Sequence, residues 1–152
     1  MSARGSLDAW AIYGFPIQRA IVNDGARILS TALGFLSGNY IITAHADAIA
    51  DPVRKNWIER YLRLVRQGYA WAAQNQSAWA KIVAREIGVP IEQVEDQFRR
   101  KSANFELRPV TEAAIRSQQS VADVFTAAKL VPGHVDVRPL WDETFNPVLK
   151  EA

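Results

Sequence analysis

The pattern of hydrophobic and polar positions changes near residue 45. Before that point the apolar residues come in short runs, which predict strands over residues 7–13, 26–29 and 40–44. Bulky and β-favouring residues fill the first run, and the third is almost wholly apolar, as in a central strand covered on both faces. A short helix ending at Gly25 is predicted between the first two runs.

After residue 45 the apolar positions recur with a helical period. Asp51 followed by Pro52 predicts a helix start, with aspartate as the N-cap and proline at the first helical position. A wide apolar stripe that includes Trp57, Tyr61 and Leu64 then predicts one long helix to about residue 74. Further helices are predicted over residues 76–88, ending at Gly88, over residues 91–100, and over residues 112–131 with Thr111 as the N-cap.

This arrangement predicts an α/β fold with few N-terminal strands and a helix-rich C-terminal part. Three short strands are too few to balance so much helix in a layered structure. We therefore expect a partial sheet, with the rest of it supplied by something outside these strands.

Composition and charge exclude several classes of protein. The chain has 152 residues, of which 49% are hydrophobic and 22% charged, as in a globular domain. Eighteen basic and sixteen acidic residues are interspersed, so no nucleic-acid partner is predicted. The one dense basic run, Arg99 to Lys101, is interpreted as a helix C-terminus, where cations complement the helix dipole.

Metal, cofactor and redox chemistry find little support. The chain has no cysteine, which excludes disulfides, cysteine nucleophiles and thiolate metal sites. His45 and His134 lie too far apart in sequence for a metal-ligand motif, and no cofactor is predicted. No apolar run is long enough to span a membrane, and the N-terminus lacks the features of a secretory signal peptide.

The most informative segments for function are two turns beside predicted strands. The first strand ends at Tyr13 and Gly14, and the loop Ser37-Gly38-Asn39 precedes the third. Open α/β folds bind ligands at the carboxyl edge of the sheet, where oriented amides can hold a small anion without basic side chains. The residues alone leave open the alternative that both are ordinary turns.

Four segments, taken in order, resemble a known family. They are "GSLDAWAIYGFPIQRAIVNDGARIL", "NYIITAHADAIADP", "YAWAAQNQSAWAKIVAREIGVPIEQVE" and "FELRPVTEAAIRSQQSVADVFTAAKLVPGHVDVRPLWDETF". Together they resemble the carboxyl-terminal half of periplasmic substrate-binding proteins for aliphatic sulfonates, in the nitrate, sulfonate and taurine group of ABC importers. The resemblance runs from Gly5 to about Asn146.

The resemblance implies a partial type II periplasmic-binding-protein fold, in which two lobes close over a ligand. It places residues 1–25 at the end of the second lobe, residues 26–38 in the hinge crossing and residues 39–152 in the returning half of the first lobe. The amino-terminal half, with its signal peptide, is expected to lie in a longer form. The implied ligand-binding residues are Trp10, Tyr13, Gly14, Asn39 and Tyr40.

The implied function is binding of a small sulfonate-like anion, without catalysis, and its delivery to an ABC permease in the periplasm. Two alternatives remain open. The same fold hosts desulfinases and a thiamine-pyrimidine synthase, whose reactive residues would have to lie in the other half. The chain could also be a short, non-binding protein that forms homo-oligomers through exposed half-lobe surfaces.

Overall fold

The structure, a computed structural model, describes residues 7–150, in which the regular elements are helices and no strand is present. A 3-10 turn, Arg138–Leu140, lies between the sixth and seventh of the α-helices. The helices are α1 (Pro16–Asp24), α2 (Ala46–Ala50), α3 (Pro52–Gln74), α4 (Gln76–Ile87), α5 (Ile91–Arg100), α6 (Glu112–Ala127) and α7 (Asn146–Lys150).

The predicted α/β fold with N-terminal strands is therefore wrong. Residues 7–13, 26–29 and 40–44 form neither helix nor strand. A strand is stable only when its backbone N–H and C=O groups are paired with a neighbouring strand, and no segment among residues 7–150 provides that pairing. Their apolar side chains stay largely exposed, Leu29 to 69% and Tyr40 to 74%.

The helix starts predicted from capping residues are confirmed. The Asp51 carboxylate oxygen Oδ1 accepts hydrogen bonds of 2.9 Å from the backbone N–H groups of both Val53 and Arg54. The Thr111 hydroxyl likewise accepts a bond of 3.2 Å from the N–H of Ala114, at the start of α6. Each cap satisfies backbone donors that the first helical turn leaves without a partner.

The end of α6 lies earlier than the sequence pattern predicts. The helix was expected to reach residue 131 but ends at Ala127, because Lys129 adopts a left-handed backbone with φ of 58°. The N–H of Lys129 bonds to the carbonyl of Thr126, and that of Leu130 bonds to the carbonyl of Phe125. This pair of bonds is a Schellman motif, which usually uses glycine at the left-handed position, so the sequence carries no such signal here.

The described residues divide into two compact units, with the boundary inside α3 after Gly68. One unit holds residues 7–31 and 69–105, and the other holds residues 32–68 and 106–150. In the first unit, α5 packs against both α1 and α4. Its interior is small: Ala80 and Val94 are fully buried, and the polar residue Gln18 is also buried, with 3% of its surface exposed.

The second unit is built around α3 and α7. Leu62, Phe145 and Val148 are buried against one another, and α7 is further fixed by a hydrogen bond from Arg66 Nη1 to the carbonyl of Val148. The partly buried residues packed around this cluster are Ile49, Ile58, Leu107 and Leu149.

Asn146, at the start of α7, holds the chain that leads into α6. Its side-chain oxygen accepts a bond of 2.7 Å from the N–H of Val110, and its Nδ2 donates a bond of 3.2 Å to the Val110 carbonyl. The carboxamide thereby replaces a neighbouring strand as the partner of one extended residue.

The domain boundaries inferred from the resemblance stay a prediction, since these two units describe compactness and not ligand-binding lobes. Within residues 7–150, no helix has both the length and the apolar character that a bilayer crossing requires.

The basic run at the end of α5 is engaged with an acid on the same helix. Arg100 Nε donates to one carboxylate oxygen of Asp96 at 2.7 Å, and Arg99 Nη2 donates to the other at 3.2 Å. The Lys101 ammonium lies 5.3 Å from the centre of the Phe98 ring. The hydrogen bond from Arg100 lowers the pKa of Asp96 below its ordinary value of 3.8, with a smaller contribution from Arg99.

This lowered pKa gives a pH dependence with a definite sign. The folded state favours ionised Asp96, so its contribution is present above pH 3.8 and is lost as the pH falls through the lowered pKa. Because the group is solvent-screened, we expect Asp96→Asn to cost less than about 1 kcal/mol of unfolding free energy at pH 7. Urea unfolding should show this difference shrinking below pH 3.8, whereas Glu95→Gln, at an acid with no ion pair among the described residues, should show no such trend.

A matched pair of substitutions on α3 tests whether Leu62 belongs to the small core of the second unit. Leu62 is 6% exposed and Leu64, on the same helix, is 57% exposed. We expect Leu62→Ala to lower the free energy of unfolding by about 3 kcal/mol, because it opens a cavity beside Phe145 and Val148. Leu64→Ala should cost under about 1 kcal/mol. Urea unfolding at low micromolar protein measures both, and equal losses would contradict the packing described here.

Candidate functional site

A half-open cavity of about 170 Å³ lies in the second unit, between the loop that precedes α2 and one face of α6. Asn39 and Ser37 contribute from the loop, and Ser117 and Gln118 contribute from the helix. The remaining wall is apolar and consists of Ile41, Ala114, Val121 and Trp141. Ordinary ligand pockets begin near 300 Å³, so this cavity matches a small polar head group and not a large ligand.

The orientation of Gln118 is fixed by Trp141. The indole Nε1–H can only donate, and it bonds to Gln118 Oε1 at 2.5 Å. The carboxamide oxygen is therefore engaged, and Nε2, with its two N–H donors, makes no hydrogen bond to another described residue. Gln118 consequently offers donors to a ligand, and its acceptor is occupied.

The loop side of the cavity is held by a local hydrogen bond. The N–H of Asn39 donates to the Ser37 hydroxyl oxygen at 3.2 Å, and Gly38 between them has φ of 71°, a conformation that glycine adopts without strain. Because the serine oxygen accepts this bond, its own O–H is directed elsewhere and can donate to a ligand.

None of the residues that line the cavity carries a charge. Arg138, three residues before Trp141 in the sequence, is a cation in the 3-10 turn. It pairs with Glu112, and its guanidinium lies 3.6 Å from the carboxylate of Glu143. The hydrogen bond from Arg138 to Glu112 raises the pKa of the guanidinium further above its ordinary value. An anion in this cavity would thus be held by neutral hydroxyl and amide donors.

A second concavity of about 230 Å³ adjoins the first and shares Gln118 and Val121 with it. Its wall is otherwise apolar. The Thr126 hydroxyl of α6 lies within hydrogen-bond distance of the carbonyls of Ala122, at 2.9 Å, and Gly133, at 3.0 Å. The other lining residues are Ala122, Phe125, Val131, Val135, Val137 and Leu140. The two concavities together present a polar end and an apolar end along α6.

The ligand-binding residues predicted from the sequence fall into both units. Asn39 lines the polar cavity, beside Ser37 of the same predicted loop. Tyr40 follows it in the chain, is 74% exposed and does not line the cavity. The role of both residues in binding stays a prediction.

Trp10, Tyr13 and Gly14 belong to the first unit. Trp10 and Tyr13 are exposed to 52% and 80%, and Gly14 has φ of 78° in the turn that leads into α1. The carbonyl of Gly14 accepts a hydrogen bond from the N–H of Ile17, so this glycine helps to start the helix. Contact of Trp10, Tyr13 and Gly14 with a ligand stays a prediction.

Sequence reasoning missed the contributions of Ser117, Gln118 and Trp141. Two signals could have found them. Ser117 and Gln118 lie in a run of polar residues, 116–120, in the middle of the predicted helix, and Gln118 is one turn before Val121 on the same side. Trp141 follows a proline-containing turn, and a half-buried tryptophan usually needs a partner for its N–H.

Comparison with known proteins gives one curated relative. The chain is 25% identical over 143 residues to a protein of Escherichia coli (strain K12) named "Putative aliphatic sulfonates-binding protein". The match covers 93% of this chain and 44% of the relative, so the chain spans less than half of that protein's length. No protein-family model matches the chain. No solved structure matches it either.

Proposed function

We propose that this chain is part of the solute-binding component of an ABC importer for aliphatic sulfonates or related small anions. The observation that carries the proposal is the alignment over 93% of the chain with a relative named for sulfonate binding. In the proposed role the complete protein works in the periplasm and presents its liganded form to an ABC permease. The function is binding, without a catalytic step.

The polar cavity supports this proposal by its chemistry. A sulfonate group offers three oxygen acceptors and no donor, and the cavity presents hydroxyl donors from Ser37 and Ser117 and amide donors from Gln118. Oriented neutral donors can hold an anion without a basic side chain. Because Trp141 occupies the Gln118 oxygen, this residue cannot rotate its acceptor toward the ligand without losing a hydrogen bond.

The adjoining apolar concavity supports the proposal that the ligand has an aliphatic part. A short alkyl chain whose head group lies beside Gln118 would run along Val121 toward Phe125 and Val137. Each buried methylene contributes about 0.8 kcal/mol when it is fully removed from water, and less in an open groove. We therefore propose a head group bound in the first cavity and an alkyl chain in the second.

The proposal is tested by nitrogen–proton correlation spectra of the isotope-labelled chain during titration with 1-butanesulfonate. The five tryptophans give separate indole signals, and Trp141→Phe identifies the one of interest. We expect the Trp141 signal to move with a dissociation constant in the millimolar range, because the half-open cavity leaves part of the ligand in water. Gln118→Leu should weaken binding about tenfold by removing the amide donors.

Two controls separate specific binding from general effects. Gln76→Leu makes the same chemical change at an exposed residue of α4 that does not line the cavity, and it should leave the titration unchanged. Titration with 1-butanol tests the alkyl chain without the sulfonate. A Trp141 signal that stays still with butanesulfonate, or moves equally with butanol, would contradict the proposal.

A further inference from the structure

The two concavities share one pair of chain segments. Helix α6 lines both of them, and residues 131–141, here called the strap, contribute Trp141 to the polar cavity and the rest of the wall to the apolar one. The placement of the strap on α6 therefore sets the position of Trp141 and the width of the apolar concavity. Apart from the 3-10 turn the strap has no helix or strand, so its backbone groups depend on side chains or water for hydrogen bonds.

Gln119, a half-buried residue of α6, supplies such partners to the middle of the strap. Its Nε2 donates a hydrogen bond of 2.8 Å to the carbonyl of Val135, and its Oε1 accepts one of 3.0 Å from the N–H of Val137. A further bond from Nε2, also of 2.8 Å, reaches Asp123 Oδ1 one turn later on α6. The oxygen and both N–H groups of the carboxamide are thus engaged.

These three partners allow the carboxamide only one orientation. The N–H of Val137 can only donate, so it requires the amide oxygen. The Val135 carbonyl and the ionised Asp123 carboxylate can only accept, so they require the amide nitrogen. A half-turn of the amide would put its oxygen against two acceptors and lose all three hydrogen bonds. Gln119 therefore holds the strap in one place on α6 and has no donor left for a ligand.

The other polar attachments of the strap to α6, on either side of Val135 and Val137, are weaker. The Gly133 carbonyl lies 3.0 Å from the Thr126 hydroxyl, but that single O–H also lies 2.9 Å from a carbonyl of its own helix. Arg138 pairs with Glu112 through side chains that are more than half exposed, and water screens such pairs. The strap is thus held in its middle chiefly by the carboxamide.

We propose that Gln119 is a positioning residue of the ligand site, one that does not touch the ligand and places Trp141 against Gln118. Neighbouring residues lie about 100° apart around a helix, so Gln119 can hold the strap while Gln118 lines the cavity. Trp141 follows Val137 by four residues, and its indole bond leaves the Gln118 amide donors for the ligand. The effect on binding rests on the proposed function, whereas the placement of Trp141 does not.

Gln119→Met tests the proposal, because it keeps a long, helix-favouring side chain and removes all three hydrogen bonds. Without ligand, we expect the Trp141 indole N–H to exchange with water at least about fivefold faster, since its bond to Gln118 opens more often. The other four indole signals should keep their rates. In a titration with 1-butanesulfonate, the dissociation constant should rise about fivefold, as expected for a site that is less often assembled.

Gln67→Met is the matched control. It makes the same change at an exposed residue of α3 in the same unit, outside both concavities, and should leave both measurements unchanged. Gln119→Asn is the second variant, used also if circular dichroism shows that Gln119→Met loses helix. It keeps the amide but is one methylene shorter, so it cannot make all three bonds, and Trp141 exchange should again become faster.

The two measurements can fail separately. Unchanged Trp141 exchange in both Gln119 variants would overturn the proposal, and so would a rise shared by all five tryptophans, which would mean a loss of overall stability. Faster Trp141 exchange with unchanged butanesulfonate affinity would overturn the role of Gln119 in binding. If the unmodified chain does not bind butanesulfonate, the proposed function fails, while selectively faster Trp141 exchange would still support the placement of Trp141 by Gln119.

Discussion

The contact of Leu62 with Phe145 and Val148 determines most of what the second unit can do. It is the place where a long helix from the middle of the chain meets the last helix, more than eighty residues later in sequence. Without it, α7 has five residues and no reason to be helical, since isolated helices of that length are unstable in water. The hydrogen bond from Arg66 to the Val148 carbonyl fixes the orientation of α7 on α3, which the apolar contact alone would not do.

The polar cavity depends on this contact through a short series of neighbours. Asn146 lies in the first turn of α7, and its carboxamide holds Val110 immediately before the N-cap of α6. The start of α6 is thereby placed relative to the core, and Ser117 and Gln118 follow one to two turns later. Gln119 then holds the returning chain, since its side-chain oxygen accepts a bond of 3.0 Å from the N–H of Val137. Trp141 reaches Gln118 because both chain segments are fixed in this way.

Local chemistry explains what could be predicted from the sequence. Asp51, Thr111, Gly25 and Gly88 act on backbone groups within a few residues, and each marks a helix boundary as the sequence predicts. A helix satisfies its own backbone, so its existence can be inferred without knowledge of its neighbours. The three predicted strands needed partners elsewhere, and β propensity at Trp10, Tyr13 or Ile41 cannot provide them.

The candidate site was only partly accessible to sequence reasoning for a related reason. Asn39, whose role in binding stays a prediction, was selected because it lies in a loop with glycine and serine, a local signal that sequence alone shows. Gln118 acquires its significance from a tryptophan 23 residues later, and no periodic pattern connects the two. The Schellman end of α6 was missed because lysine occupies the position that glycine usually marks, and that end directs the chain back toward Trp141.

The hydrogen bond between Trp141 and Gln118 also bears on which anions suit the cavity. A sulfonate is fully ionised at every pH at which proteins fold, so it requires donors and never an acceptor. A phosphate monoester has a second pKa near 6, so near neutral pH it is mostly a dianion and partly a protonated monoanion, whose proton needs an acceptor. Because the indole occupies the Gln118 oxygen, Gln118 offers donors alone, and a protonated ligand oxygen beside it would lose a hydrogen bond that it makes in water. The neutrality of the lining residues acts in the same direction, since a dianion depends more than a monoanion on a nearby positive charge. Both points concern the Gln118 side of the cavity, where we expect a singly charged, unprotonated head group to be favoured over a phosphate.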